Sequence, residues 1–191
     1  MQNSTAEFWA GSGGDEYLAR NRVDWRLRIP FWKDVIERTG ARSVYEVGCN
    51  AGWNLSAIKR AFPDVRCAGS EINALARLQA QATGLYVYSS GAAFETAPHI
   101  ELVFTAGVLI HIEPAKLQDM MEQIIALSAQ YVLAIEYAAD EETEVEYRGQ
   151  RGLLWKRPFG KLYEELGLRQ VVCWDAGPGF DNCTAWLMEK I

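Results

Sequence analysis
A chain of 191 residues with 49% hydrophobic and 23% charged content is long enough to bury one sizeable core, so one domain spanning 1–191 is expected. A formal net charge of −6 argues against general nucleic-acid binding, which needs a broad basic surface. Four widely spaced cysteines and two histidines argue against a metal site or a disulfide framework. The opening MQNSTAEFWAGSGGDEY has no basic region followed by an apolar run, so a cytoplasmic protein that neither enters nor crosses a membrane is expected.

In chain order, residues 1–38 hold the glycine-interrupted EFWAGSGGDEYLARN (7–21) and then a helix bearing Arg20, Arg22, Arg26 and Arg28, which together read as a lid. Trp9, Trp25 and Trp32 read as packing residues. Residues 39–137 alternate strand candidates SVYEV (43–47), RCAGS (66–70), LYVYS (85–89), ELVFT (101–105) and YVLAIEY (131–137) with the helix-like NLSAIKRAF, NALARLQAQA and PAKLQDMMEQIIALSA. Residues 138–161 form an insertion, and 162–191 contain two further strands, RQVVCW (169–174) and TAWLME (184–189). The connection between these two holds Gly177, Pro178, Gly179, Asp181 and Asn182, too short for a crossover helix, so they should pair as an antiparallel hairpin. The alternation predicts an α/β fold, a doubly wound, mostly parallel sheet of seven strands.

The first strand runs into EVGCNAGWNL (46–55), in the strand-to-helix crevice where such folds bind ligands, with Asn54 a candidate helix cap. Gly48 and Gly52 would let the backbone approach a ligand, although a tight turn that binds nothing would also use them. A dinucleotide fingerprint would place glycines at Asn50 and Trp53, which disfavours an NAD(P)-linked oxidoreductase, and no G-K-[ST] follows to make a P-loop. The second strand ends in GSEIN, where Glu71 can accept two hydrogen bonds from a ribose diol. Alone, Glu71 reads better as a solvated carboxylate; together with Glu46 and the two glycines it reads as a ligand site.

The pattern E-x-G-x-N-x-G on the first strand, with an acid closing the second, resembles class I S-adenosylmethionine-dependent methyltransferases. That resemblance implies a Rossmann-like fold and S-adenosyl-L-methionine as cofactor. It places Gly48, Asn50 and Gly52 against the methionine portion, Glu71 on the ribose, Ile72 as a further cofactor contact, and Glu46 as an organiser of the loop or a water-mediated contact. Ser90, Gly91 and Ala92 would border the adenine, where the family usually has an acid, and Thr105 and Gly107 of TAGVLIH (105–111) would run beneath the cofactor. The blocks EFWAGSGGDEYLARN, VGCNAGWNLSAI, TAGVLIHI, YRGQRGLLWKRPFG and TAWLMEK further resemble the pseudaminic-acid-biosynthesis-associated methylase group, which is itself similar to small phosphonate O-methyltransferases.

Methyl transfer from a sulfonium mainly requires alignment and exclusion of water. A phosphonate, phosphate or carboxylate acceptor is already ionised, and it calls for cationic donors such as Arg148, Arg151, Lys156 and Arg157. That run also reads as a solvated face answering the acidic stretch just before it. Tyr17 and Asn21, one helical turn apart, could face the acceptor, and Tyr17 is a candidate catalytic group. His111 is a candidate base for a sugar or alcohol hydroxyl, or a donor to an anionic acceptor, though a structural role also fits it; His99 reads as structural. The sequence thus predicts an O-methyltransferase for a small anionic metabolite. A sugar hydroxyl and a non-catalytic cofactor-binding protein are the alternatives.

Overall fold
The computed structural model describes residues 4–89 and 100–191. The expected adenine contacts Ser90, Gly91 and Ala92, and His99, lie outside the described residues. Seven strands form one sheet in the order β3-β2-β1-β4-β5-β9-β8. They are β1 (Ser43–Val47), β2 (Arg66–Glu71), β3 (Tyr86–Ser89), β4 (Ile100–Ala106), β5 (Ser128–Glu136), β8 (Leu168–Asp175) and β9 (Thr184–Lys190). β1 pairs in parallel with both β2 and β4, β4 with β5, while β9 runs antiparallel to both β5 and β8. This matches the expected seven-stranded sheet with its C-terminal hairpin. A separate two-stranded ribbon, β6 (Thr143–Glu144) and β7 (Trp155–Lys156), has no counterpart in the sequence reading. Strands of two residues carry too short a pattern to be legible.

The helices are α1 (Thr5–Ala10), α2 (Ser12–Arg20), α3 (Ile29–Thr39), α4 (Trp53–Ala61), α5 (Ala74–Ala82), α6 (Pro114–Leu127) and α7 (Phe159–Glu165), with short 3₁₀ turns at Trp25–Arg28 and Leu109–His111. The expected single helix through Arg28 is broken at Asn21, whose extended backbone caps α2. Among the described residues no helix is long and apolar enough to cross a membrane.

Alternation along the central strands feeds two cores. Val44, Leu102, Phe104, Leu133 and Ile135 pack with Trp32 and Val35 of α3 and Leu55 and Ile58 of α4. Tyr45, Val47, Val103, Val132 and Ala134 face the opposite way, onto Leu117, Met121 and Ile124 of α6 and Phe159 and Tyr163 of α7. The sheet is therefore covered on both faces, as a parallel sheet requires. Trp32 is fully buried, and truncating a core aromatic of this size costs roughly 3–5 kcal/mol. Cys49 and Cys183 are buried, Cys67 is half-buried, and Cys173 is exposed on edge strand β8. Connections from β1 leave toward β2 on one side and from β3 return to β4 on the other, so the carboxyl ends of β1 and β4 border the crevice where the strand order reverses.

Candidate active site
That crevice is a cavity of about 430 Å³, lined by the ends of β1, β2 and β4, by the N-terminal helices and by one face of α6. Of the residues singled out in the sequence it brings together Tyr17, Glu46, Gly48, Asn50, Glu71, Ile72, Gly107 and His111.

The loop after β1 takes left-handed backbone conformations at alternate positions, with φ 72° at Gly48, 48° at Asn50 and 77° at Gly52. Asparagine is among the few side-chain-bearing residues that tolerate this region, and the Asn50 Oδ1 accepts from the Ala51 amide at 2.7 Å. Asparagine at this position thus preserves the backbone path that a glycine would take. Gly52 does not line the cavity. It precedes α4 as its N-cap, and a Cβ there would lie 2.4 Å from Leu85 Cδ1, so its glycine serves packing. The expected cap, Asn54, is instead buried inside α4. Its Nδ2 donates to Glu46 Oε1 at 2.6 Å, and its Oδ1 accepts from Arg28 Nη1 at 2.9 Å and Trp32 Nε1 at 3.2 Å.

Two buried carboxyl groups, Glu46 and Glu71, lie at the crevice. Glu71 Oε2 accepts from the Asn50 amide and Oε1 from the Asn73 amide, both at 2.7 Å, so the tip of β2 is stitched to the glycine loop. Burial raises its pKa, opposed by the backbone donors of Asn73 and Asn50. Glu46 is 2% exposed, its Oε2 has no partner among the described residues, and burial pushes its pKa up to about 8 despite the Asn54 bond. Arg28, read in the sequence only as one of a row of arginines, also lines the cavity. It lies over the Phe180 ring and donates through Nε to Gly179 O at 2.8 Å.

The opposite end is aromatic. Trp9 packs against His111 with ring centroids 4.4 Å apart, against Tyr17 at 5.6 Å and against Tyr147 at 5.8 Å. Trp9 therefore belongs to the cavity wall as well as to packing. Arg20 Nη2 donates to Tyr147 Oη at 2.7 Å while its guanidinium lies over the Tyr17 ring. Burial raises the Tyr17 pKa, keeping the phenol neutral. His111 Nδ1 lies 2.6 Å from the Leu153 carbonyl oxygen. A carbonyl only accepts, so Nδ1 carries the proton and Nε2 holds a lone pair. Burial lowers the His111 pKa to about 4, so the ring is neutral near pH 7 and, through Nε2, an acceptor and not a donor.

Several expected contacts do not line this cavity. Asn21 spends its Nδ2 on the Tyr17 carbonyl at 2.9 Å, the same oxygen that its backbone amide reaches at 3.0 Å to close the helix. Thr105 is buried in β4 below the crevice. Arg148 and Arg151 are exposed, Arg151 reaching Glu144 at 4.0 Å, and Lys156 lies over the Tyr137 ring. The expectation that Arg157 holds substrate is overturned. It is fully buried, with Nε on Glu142 at 2.7 Å, Nη1 on Leu109 O at 2.9 Å and Nη2 on Ile112 O at 3.0 Å, so each guanidinium nitrogen is committed inside the protein. The sequence reading also missed Lys116, Met120 and Gln123 of α6, which line the cavity with no motif to mark them.

No family model matches the sequence, and no curated protein is a significant match. Among solved structures, the chain is similar to magnesium protoporphyrin IX methyltransferase from Synechocystis PCC 6803 with bound SAH. The TM-score is 0.72 at 12% identity, over 97% of this chain and 98% of that one. It is also similar to the sugar N-methyltransferase KedS8 from Streptoalloteichus sp ATCC 53650, with TM-score 0.68 at 14% identity over 95% and 93% of the two chains. A DhpI–SAM–HEP complex gives 0.68 at 14% over 98% and 96%. At these identities the likeness is one of architecture: the chain has the Rossmann-like fold of class I SAM-dependent methyltransferases, over nearly its whole length.

Proposed function
We propose that this chain is an S-adenosyl-L-methionine-dependent O-methyltransferase whose acceptor is a small molecule with a free hydroxyl, such as a sugar. The observation that carries the reading is His111, neutral, with Nδ1 tied to a carbonyl and the Nε2 lone pair free to accept a proton, in the same cavity as Glu46 and Glu71.

The residues present fit the cofactor. Glu46 Oε2 is a buried acceptor without a partner, suited to an ammonium group, and Glu71 closes the second strand with both oxygens still able to accept from a ribose diol. Arg28 has Nε and Nη1 committed, leaving Nη2 with no hydrogen bond among the described residues, suited to the cofactor's carboxylate. Gly107, at φ 68° with open space where a Cβ would stand, provides a flat floor. The assignment of Gly48, Asn50 and Ile72 to this site belongs to the same reading. When bound, the cofactor supplies an electrophilic methyl group on a positively charged sulfur. His111 takes the acceptor's hydroxyl proton at Nε2 as the new O–C bond forms, so the positive charge lost from sulfur ends on the imidazolium. Trp9, Tyr17 and Met120 of α6 exclude water and orient the acceptor.

A second reading, an anionic acceptor, would draw on Lys116, which lines the cavity half-exposed with its ammonium 3.1 Å from Glu113 Oε2. The cations of the segment 148–157 do not support it. Calorimetry with S-adenosylhomocysteine, followed by transfer of a tritiated methyl to matched panels of hydroxyl and carboxylate or phosphonate acceptors, tests the proposal. Absence of binding would remove the enzyme reading, and transfer confined to anions, undiminished in His111→Ala, would replace the first acceptor class with the second.

A further inference from the structure
The turn that carries His111 is gripped from both ends by a buried polar side chain. At its start, the Glu136 carboxylate at the end of β5 accepts from the amides of Val108 and Leu109 at 3.1 Å and of Ile110 at 3.4 Å. At its end, the Arg157 guanidinium donates to the carbonyls of Leu109 at 2.9 Å and Ile112 at 3.0 Å. Both side chains are 0% exposed. A single 3₁₀ turn has little rigidity of its own, and an acceptor on its free N–H groups with a cation on the carbonyls at its other end is the arrangement that fixes it. The segment that supplies Arg157 also supplies Leu153, whose carbonyl takes the His111 Nδ1 proton at 2.6 Å. Leu153 is in turn held beside β7, which pairs with β6, and Glu142, just before β6, accepts from Arg157 Nε at 2.7 Å.

We propose that Arg157 is a positioning residue: by fastening the segment 153–157 to the turn 109–112, with Glu136 as its counterpart at the other end, it holds His111 in the Nδ1–H tautomer that leaves the Nε2 lone pair free. This rests on the proposed role of His111 as base, but the hold on the ring does not. Burying a guanidinium is costly unless its nitrogens find partners, and here each has one: Nη1 and Nη2 on the turn that bears the candidate base, and Nε on Glu142. The basic segment thus acts through its buried member, behind the histidine, while its exposed members face solvent.

Two-bond ¹⁵N–¹H correlation spectra of histidine-labelled full-length protein with S-adenosylhomocysteine bound read the tautomer directly, His111 being assigned by the loss of its signals in His111→Asn. The parent is expected to show a protonated Nδ1 and a bare Nε2. In Arg157→Met that pattern should move toward the mixed tautomers of free histidine. The turnover number should fall about tenfold or more while acceptor KM and cofactor affinity change far less, because the lost interaction acts on the base and not on binding. Added guanidinium should restore part of the rate. Glu142→Gln, at a half-exposed position where loss of fold is not at issue, should give the same spectral change in smaller measure. An unchanged Nδ1–H pattern in both variants would overturn the proposal. A changed pattern with intact turnover would leave the hold on the ring standing and remove His111 from the chemistry.

Discussion
The side-chain amide of Asn73 donates to the Asp15 carboxylate across 2.8 Å, joining the N-terminal helices to the turn in which Glu71 sits. Asn73 is 2% exposed, and it also caps α5 by accepting from the Ala76 amide at 2.9 Å and donates its own amide to Glu71. A second tie fastens the other end of the N-terminal pair, where Glu113 accepts from the amide and hydroxyl of Thr5 at 2.9 and 3.1 Å. Helices α1 and α2 therefore lie over the cavity as a strap with two latches. Asp15→Ala should weaken S-adenosylhomocysteine binding by roughly 0.5–1.5 kcal/mol, the net worth of one hydrogen bond, and make the Gly11–Gly14 stretch more sensitive to protease. Glu71→Ala should cost more, about 1–3 kcal/mol, since it also strands the Asn50 and Asn73 amides. Calorimetry that returns the parent's affinity for Glu71→Ala would remove that residue from the site.

Stability should depend on pH through Glu46. Its folded-state pKa, raised to about 8 from 4.5 by burial, means that between these values the folded protein holds a proton that the unfolded chain has lost. Its contribution is therefore fully present below about pH 4.5 and fades as pH rises through 8. Each group of this kind contributes a slope of up to about 1.4 kcal/mol per pH unit. Glu136, raised to about 7 by burial, acts in the same direction over a narrower window. The stability difference between parent and Glu46→Gln in urea titrations should shrink or reverse sign from pH 5 to pH 8, with the parent losing ground. A difference that stays flat would contradict the buried, proton-holding state.

His111 gives a different pH signature. With its pKa lowered to about 4 by burial, it remains neutral well below the ordinary histidine range, so turnover should show no inflection from this ring near pH 6.5. His111→Asn should reduce turnover of a hydroxyl acceptor by roughly 10²–10⁴, the usual worth of a general base, with cofactor affinity preserved. An inflection near 6.5 that disappears in the variant would show that the ring is solvated during turnover.

The exposed cations should matter little. Arg148→Ala and Arg151→Ala are expected to change stability by less than about 0.5 kcal/mol, because neither side chain is buried. Steady-state kinetics should return the parent's acceptor KM for both. A large rise in KM for either one would restore the clamp that the sequence suggested and the cavity does not show.

Where the physics is local, the sequence was legible. The seven strands of the main sheet follow from β-branched and aromatic runs whose alternate residues, such as Tyr45 and Val47 against Val44 and Glu46, face opposite sides of a covered sheet. The glycine loop was legible for the same reason: a left-handed backbone admits few residues, and Gly48, Asn50 and Gly52 supply them in turn. Partner choice was not legible, because it depends on what the fold brings alongside. Asn54 has the chemistry of a helix cap, yet it is a buried bridge between Glu46 and Arg28, residues 8 and 26 positions away. Arg157 belongs to a run of cations that reads as one surface, and the tertiary structure separates it from Arg148 and Arg151 by burying it against Leu109 and Ile112. The sequence by itself determined the order of strands and helices and the glycine turn, since period and backbone preference reside in neighbouring residues. Only the tertiary structure decided which charges face the cavity, because the cost of burying a charge is set by partners that are distant in the chain.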